Sequence, residues 1–461
     1  EDGIIRSVYN MNSDALESII EEKNLACDAL EADLVINGRA LAGIDAEPYP
    51  DCLPVLMPAF IDLHAHFRDP GFPEKEVLES ACMAAAAGGY GTVVAMANTR
   101  PVTDTLEKAV ALKRRSDVLG LIDLYPVLSL TKNMEGKELS GITDIPSHAA
   151  PGSPAGDFKL PLMLSEDGKD LADEGLFLAA MKEARRIGVP ISCHCDFGGE
   201  EAESAKRRGE PRSVWSRIEE NNAVRRAIEL GRTAGCRIHI AHVSTKEAVE
   251  TIRRAKAGTR AAKHGTDGGG SGKGDHHAGF LLSCEAMPHN IALTEERARE
   301  LGNESFGRVN PPLRAEEDRR AVIAGLLDGT IDVIATDHAP HTMEDKARGI
   351  PGFSGFETAF AACYTELVRS GSMDLRRLSS LMSAAPARLL GLGSAGPQGR
   401  GRIATGFRGD LVIVDPRTAW KADPGLFKTR GKNSAFAGLE LRGKALITLR
   451  GGCVSVPRPL C

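Results

Sequence analysis

No apolar run in this 461-residue chain reaches the ~18–20 residues that a membrane-spanning helix needs. No block of Lys and Arg stands out, and the formal net charge is −6, from 57 basic against 63 acidic residues. A protein that tracks nucleic-acid phosphates needs the opposite surplus, so binding to nucleic acid or to a membrane is not expected. The ten cysteines are scattered from Cys27 to Cys461 and do not form the dense framework of a small disulfide-stapled domain. No signal-peptide pattern opens the chain, and reduced thiols in a cytoplasmic setting are the expectation. The length suffices for one large barrel and a smaller domain.

The most informative stretch is Met57-Pro58-Ala59-Phe60-Ile61-Asp62-Leu63-His64-Ala65-His66-Phe67-Arg68. It has the form of a short apolar strand ending in two histidines spaced i, i+2. In a strand, such a pair faces one side, so both imidazoles can reach one metal ion. Arg68 lies two residues further on, and its planar fork suits a carboxylate.

A lone His-x-His is weak, but the pattern recurs. Ile191-Ser192-Cys193-His194, Arg237-Ile238-His239-Ile240-Ala241-His242 and Ile331-Asp332-Val333-Ile334-Ala335-Thr336-Asp337-His338 are apolar runs with polar chemistry at their C-terminal ends. Helical patterns over 174–187 and 246–256 separate them. Strands alternating with helices predict a parallel sheet of α/β class. In a (β/α)8 TIM-type barrel, functional groups gather at the carboxyl ends of the strands.

From about Leu53 to about Gly452 the chain resembles the bacterial-type dihydroorotases of the amidohydrolase superfamily. The motifs are His64-Ala65-His66-Phe67-Arg68-Asp69-Pro70-Gly71, Asn98-Thr99-Arg100-Pro101, Ser165-Glu166-Asp167-Gly168, Asn310-Pro311-Pro312-Leu313-Arg314 and Thr336-Asp337-His338-Ala339-Pro340-His341. The tail Gly431-Lys432-Asn433 and Phe436-Ala437-Gly438 also fits. Hydantoinases and allantoinases share the metal histidines but usually lack the paired His-x-His-x-Arg and Asn-Thr-Arg-Pro motifs.

The resemblance implies a barrel over about 58–394, and a small β-sandwich domain built from 1–57 and 395–461. Alternating runs at Gly3–Val8, Ala32–Gly38, Asp410–Pro416 and Lys444–Leu449 suit the sandwich, and Ser13–Cys27 has a helical pattern. It implies the ligands His64, His66, Asp167, His194, His242 and Asp337 around two Zn2+ ions with a bridging hydroxide. Asp167 is the expected bridge, and a carboxylated Lys159 is the alternative. Asp337 is the expected catalytic base. Arg68, Asn98, Asn310, His341 and the backbone at Gly355 are the expected contacts to N-carbamoyl-L-aspartate or dihydroorotate. A homodimer, with a pyrimidine-pathway enzyme as a further partner, is the implied assembly.

Other features have plainer readings. In a strand, Cys193 and Cys195 point away from His194 and are expected to pack. His338 is expected to be structural. The Gly-rich stretch 263–277 departs from the family and is expected to be a surface loop in which His264, His276 and His277 are solvated. Met287-Pro288-His289-Asn290 carries Asn where the family often has a second His, and should lie near the barrel mouth.

Overall fold

The computed structural model describes residues 54–146, 160–264 and 280–455. The chain enters on β1 (Val55–Pro58) and then β2 (Phe60–Ala65). A repeating strand–helix order follows: α1 (Leu78–Ala87), β3 (Tyr90–Ala95), α2 (Leu106–Leu119), β4 (Asp123–Pro126), β5 (Leu164–Ser165), α3 (Glu174–Ile187), β6 (Ile191–Cys193), α4 (Arg212–Ala234) and β7 (Arg237–Ile240). It continues with α5 (Lys246–His264), β8 (Leu281–Ala286), α6 (Glu316–Asp328), β9 (Val333–Ile334), α7 (Met343–Ala347) and α8 (Phe356–Cys363).

Strands β2-β3-β4 form one parallel run and β5-β6-β7-β8-β9 another. Parallel bridges Leu128↔Leu164 and Ala65↔His338 join the two runs at both seams, so the sheet closes on itself. Further hydrogen bonds reinforce the second seam. Thr336 N–H donates to Asp62 Oδ1 at 2.9 Å, and His66 N–H donates to the His338 carbonyl at 2.7 Å. The result is the (β/α)8 barrel that the alternation of motifs predicts.

Local sequence explains the helices. The Asp173 side chain caps α3 by accepting from Leu176 N–H at 2.7 Å, and Gly188 ends the helix at φ 92°. Phe177, Ala180, Met181, Ala184 and Ile187 form its buried face at helical spacing. Each of the larger of these side chains contributes about 1.5–3 kcal/mol on burial. The expected span of 174–187 is the observed one. The expected helix at 246–256 runs on to His264, so Lys263 and His264 are helical in backbone and not part of a loop. The remainder of the Gly-rich stretch lies outside the described residues, as do Lys159 and the expected elements in 1–53.

Beside the barrel lies a four-stranded antiparallel sheet. Its order is β1, then β10 (Leu411–Lys421), β11 (Glu440–Arg450) and β12 (Cys453–Val454). It brings the residues just before the first barrel strand together with the C-terminal strands, at the runs where the sequence places them. A buried ionic knot fastens this sheet to the barrel. Asp123 at the start of β4 accepts from Arg450 Nη2 of β11 at 2.6 Å, and also contacts Arg400 and Arg408. Burial alone would raise the Asp123 carboxyl, but the three guanidinium groups hold it far below the usual carboxylate range.

Asp123→Ala removes the carboxylate that three guanidinium groups share and leaves them only Asp410 and Asp117. It is expected to lower stability by about 3–5 kcal/mol, read as a shift in denaturant midpoint. A shift within experimental error would show that the knot does not hold the two parts together.

Candidate active site

The functional side chains converge because each follows the carboxyl end of a barrel strand. His64 lies within β2 and His66 just past its end, so the i, i+2 pair faces inward together. Asp167, His194, His242 and Asp337 lie two, one, two and three residues beyond β5, β6, β7 and β9. All six are buried.

Asp167 sits between two triads of donor atoms. One is His64, His66 and Asp167; the other is Asp167, His194 and His242, with the donor atoms of each within 4.8 Å of one another. Asp167 Oδ1 lies 2.9 Å from His194 Nδ1 and 3.2 Å from His64 Nε2, while Oδ2 lies 3.3 Å from His66 Nε2. The Asp337 carboxylate flanks the first triad, 3.2 Å from His66 Nε2. Burial opposes ionisation of Asp167, but His64 and His194 hold its carboxyl well below the usual range. Asp337 is likewise held down, chiefly by His66 and His64 against the cost of burial. Burial, His194 and His64 push His242 down to about 4, toward the neutral form that binds metal.

These residues fit a divalent ion. The buried His64 Nε2 has no hydrogen-bond partner, since its approach to Asp167 lacks hydrogen-bond geometry. His242 Nε2 lies 2.8 Å from His194 Nδ1, where one proton at most can sit between two ring nitrogens. Inward-facing nitrogen lone pairs with carboxylate oxygens are the donor set of zinc and similar ions.

The outward nitrogens of three of these rings are tied down. His64 Nδ1 donates to Glu285 Oε1 at 2.8 Å, His66 Nδ1 to Asn98 Oδ1 at 2.9 Å, and His194 Nε2 to Asp196 Oδ2 at 3.0 Å. An oxygen acceptor on the far nitrogen leaves the near one with a lone pair for metal. Glu285 also meets His239 Nε2 at 3.0 Å, and His239 Nδ1 meets Ser283 Oγ at 2.9 Å. Burial would raise the Glu285 carboxyl, but His239 and His64 lower it to about 2.

Above the triads opens a cavity of about 210 Å³. His64, His66, Arg68, Asn98, Asp167, His194, His242, Asn310, Asp337 and His341 all line it, so the sequence-predicted set comes together there. Gly355 does not. Its N–H is committed to His338 Nδ1 at 3.1 Å, and residues Ile350–Gly352 form the wall instead. Arg68 donates to the Pro340 carbonyl and lies 3.2 Å from His341 Nε2. Among the described residues no carboxylate pairs with it. Burial lowers its guanidinium to about 10 and, with Arg68 alongside, lowers His341 to about 2, so the imidazole is neutral. Arg68, His242 and Asp337 have φ of 57°, 36° and 47°, left-handed conformations that side chains other than glycine adopt at a cost.

The plainer readings also resolve. Cys193 and Cys195 are buried free thiols outside both triads. His338 is buried and stacks on Phe356 at 4.0 Å. His289 is buried against Phe353 at 5.8 Å and does not line the cavity. Sequence reasoning missed Glu285 and Asp196. Both carry a period-2 signal, as acids two residues from a polar strand position in Ser283-Cys284-Glu285 and His194-Cys195-Asp196.

Together, the closed barrel and its strand-end histidine–carboxylate cluster define a metal-dependent hydrolase of the TIM-barrel class. The chain belongs to the amidohydrolase family, whose pattern it matches over residues 55–454. Within that family it groups with proteins named dihydroorotase. It is 38% identical to that of Clostridium botulinum over 86% of each chain, and 35% identical to that of Bacillus cytotoxicus over 93% of this chain and 90% of the relative. The L-hydantoinase of Arthrobacter aurescens shares the fold, with a TM-score of 0.71 at 24% identity over 88% of this chain and 86% of that one.

Glu285→Ala frees the His64 ring. It is expected to weaken metal binding by about 10–100-fold, measured by chelator competition on the folded protein. Unchanged affinity would remove Glu285 from the support of the site.

Proposed function

We propose that this chain is a dihydroorotase, which interconverts N-carbamoyl-L-aspartate and (S)-dihydroorotate plus water in de novo pyrimidine synthesis. One observation carries the reading: Arg68, which pairs with no carboxylate among the described residues, shares one cavity with the histidine–aspartate cluster. A ring bearing a carboxylate gives Arg68 its partner while the cyclic amide carbonyl reaches the cluster. Hydantoin and dihydrouracil lack that carboxylate and would leave the charge uncompensated.

Binding falls to four residues. Arg68 clamps the substrate carboxylate through its fork. Asn98 uses its oxygen on His66, which leaves Nδ2 to donate to the same carboxylate. Asn310 accepts from Arg212 at 3.1 Å and turns Nδ2 toward the cavity side, 3.4 Å from His194. Neutral His341 completes the anion end. Two divalent ions, Zn2+ by ligand type, would be held by His64, His66, His194, His242 and Asp337 with Asp167 between them. When bound, they supply an acidified water and a polarised carbonyl. In the hydrolytic direction the Asp337 carboxylate, ionised in its buried setting, accepts the proton of the attacking water and returns it to the ring nitrogen.

The same reading extends to a cytoplasmic homodimer, and to a barrel over 58–394 flanked by a domain drawn from 1–57 and 395–461. Among the described residues six buried cysteines are free, which agrees with a reducing compartment.

Arg68→Ala is expected to raise KM for N-carbamoyl-L-aspartate about 100- to 1000-fold, the loss of a pair worth about 3–4 kcal/mol, with metal content intact. An unchanged KM would remove Arg68 from the anchor. Asp337→Asn should abolish turnover in steady-state assays; near-normal rates would refute its role as base.

A further inference from the structure

Lys346 on α7 is fully buried, yet among the described residues no carboxylate pairs with it. Its ammonium donates to three backbone carbonyls: Arg308 at 2.7 Å, Gly352 at 2.9 Å and Ile350 at 3.0 Å. The face of Phe353 also lies close, 4.9 Å from Nζ to the ring centroid. Burying an ammonium costs several kcal/mol, so this arrangement calls for a purpose beyond filling space.

The three carbonyls belong to two strips of chain that meet at the cavity. Arg308 is two residues before Asn310, and Ile350 and Gly352 flank Pro351; Asn310 and all of Ile350–Gly352 line the cavity. Gly352 N–H also donates to the Arg308 carbonyl at 3.1 Å. At φ 132°, a Cβ on Gly352 would lie 2.8 Å from the Ala339 side chain, so this wall is pressed directly against the strand-end loop. Asn433 ties the same wall to the anion end, donating to the Gly352 carbonyl at 3.0 Å and accepting from His341 N–H at 3.3 Å.

We infer that Lys346 is a positioning residue, whose ammonium sets the distance between the Asn310 strip and the Ile350–Gly352 wall and so fits the cradle to the edge of the substrate ring. The inference rests on the dihydroorotase reading. A rigid cradle matters because a displacement near 1 Å in a substrate-holding group costs on the order of 100-fold. The ammonium touches no metal-site residue and acts through the backbone it holds. Burial, with the Arg308 and Arg212 guanidinium groups nearby, lowers it to about 7.

The test compares wild type, Lys346→Met and Lys346→Gln in the metal-loaded enzyme. KM and kcat are read for L-dihydroorotate and N-carbamoyl-L-aspartate, with metal content and hydrogen exchange over 348–354. For Lys346→Met, KM should rise on the order of 100-fold, by more than kcat falls, at unchanged metal content and with faster exchange. Lys346→Gln keeps two donors and should recover part of the loss. If the Met variant does not accumulate folded, the Gln variant is judged by the same KM criterion. Faster exchange with unchanged KM marks a mere structural staple and overturns the inference, as does a loss that tracks metal content. No turnover by wild type overturns the functional reading and the inference with it; an active wild type with an unchanged KM in the variants overturns the inference alone.

Discussion

Asp167 offers its two carboxylate oxygens to different histidines, and the site closes around that sharing. Oδ1 meets His194 and His64, and Oδ2 meets His66. The carboxylate is held from behind: Ser165 Oγ donates to the Ser192 carbonyl at 3.0 Å and accepts from Asp167 N–H at 3.1 Å. Four buried imidazoles around two buried carboxylates need positive charge among them, as protons or as metal dications. Oxygen acceptors behind His64, His66 and His194 turn the near nitrogens inward and raise their basicity, and the surrounding carboxylates hold His64 and His194 well above the usual imidazole range against the cost of burial.

The closed barrel makes this convergence possible. Five strands deliver ligands to one end, and the seam between β9 and β2 brings Asp337 to the first histidine pair. The cavity is thereby divided electrically. One end carries imidazoles and carboxylates; the other carries Arg68 with neutral His341 3.2 Å away, and Lys75, paired with Asp345, lies behind His341 at 3.5 Å. A molecule with a carboxylate at one end and an electrophilic carbonyl at the other spans that division. Left-handed backbone at Arg68, His242 and Asp337 falls on the groups that must be aimed, consistent with strain held in place by the surrounding fold.

Much of this was legible in the chain. The alternation of apolar runs with helical stretches foretells the barrel, and α3 begins and ends where Asp173 and Gly188 say it should. The ligand histidines are visible because strand ends concentrate polar residues after apolar runs. Glu285 and Asp196 were less visible, because a single acid in a buried strand does not reveal which ring it faces. Gly355 lies off the cavity for a related reason: motif position brings a loop near the site but does not say which of its amides is already bonded. The support from Lys346 depends on carbonyls of residues 308, 350 and 352, and sequence carries no trace of where a backbone carbonyl points.

Turnover by the metal-loaded protein is the most direct test. L-Dihydroorotate and N-carbamoyl-L-aspartate are set against dihydrouracil, hydantoin and allantoin, before chelation, after it, and after zinc is restored. Turnover confined to the carboxylated pair, lost on chelation and recovered with zinc, is the predicted result. Equal turnover of the rings without a carboxylate, or no turnover of any of them with metal bound, would contradict it.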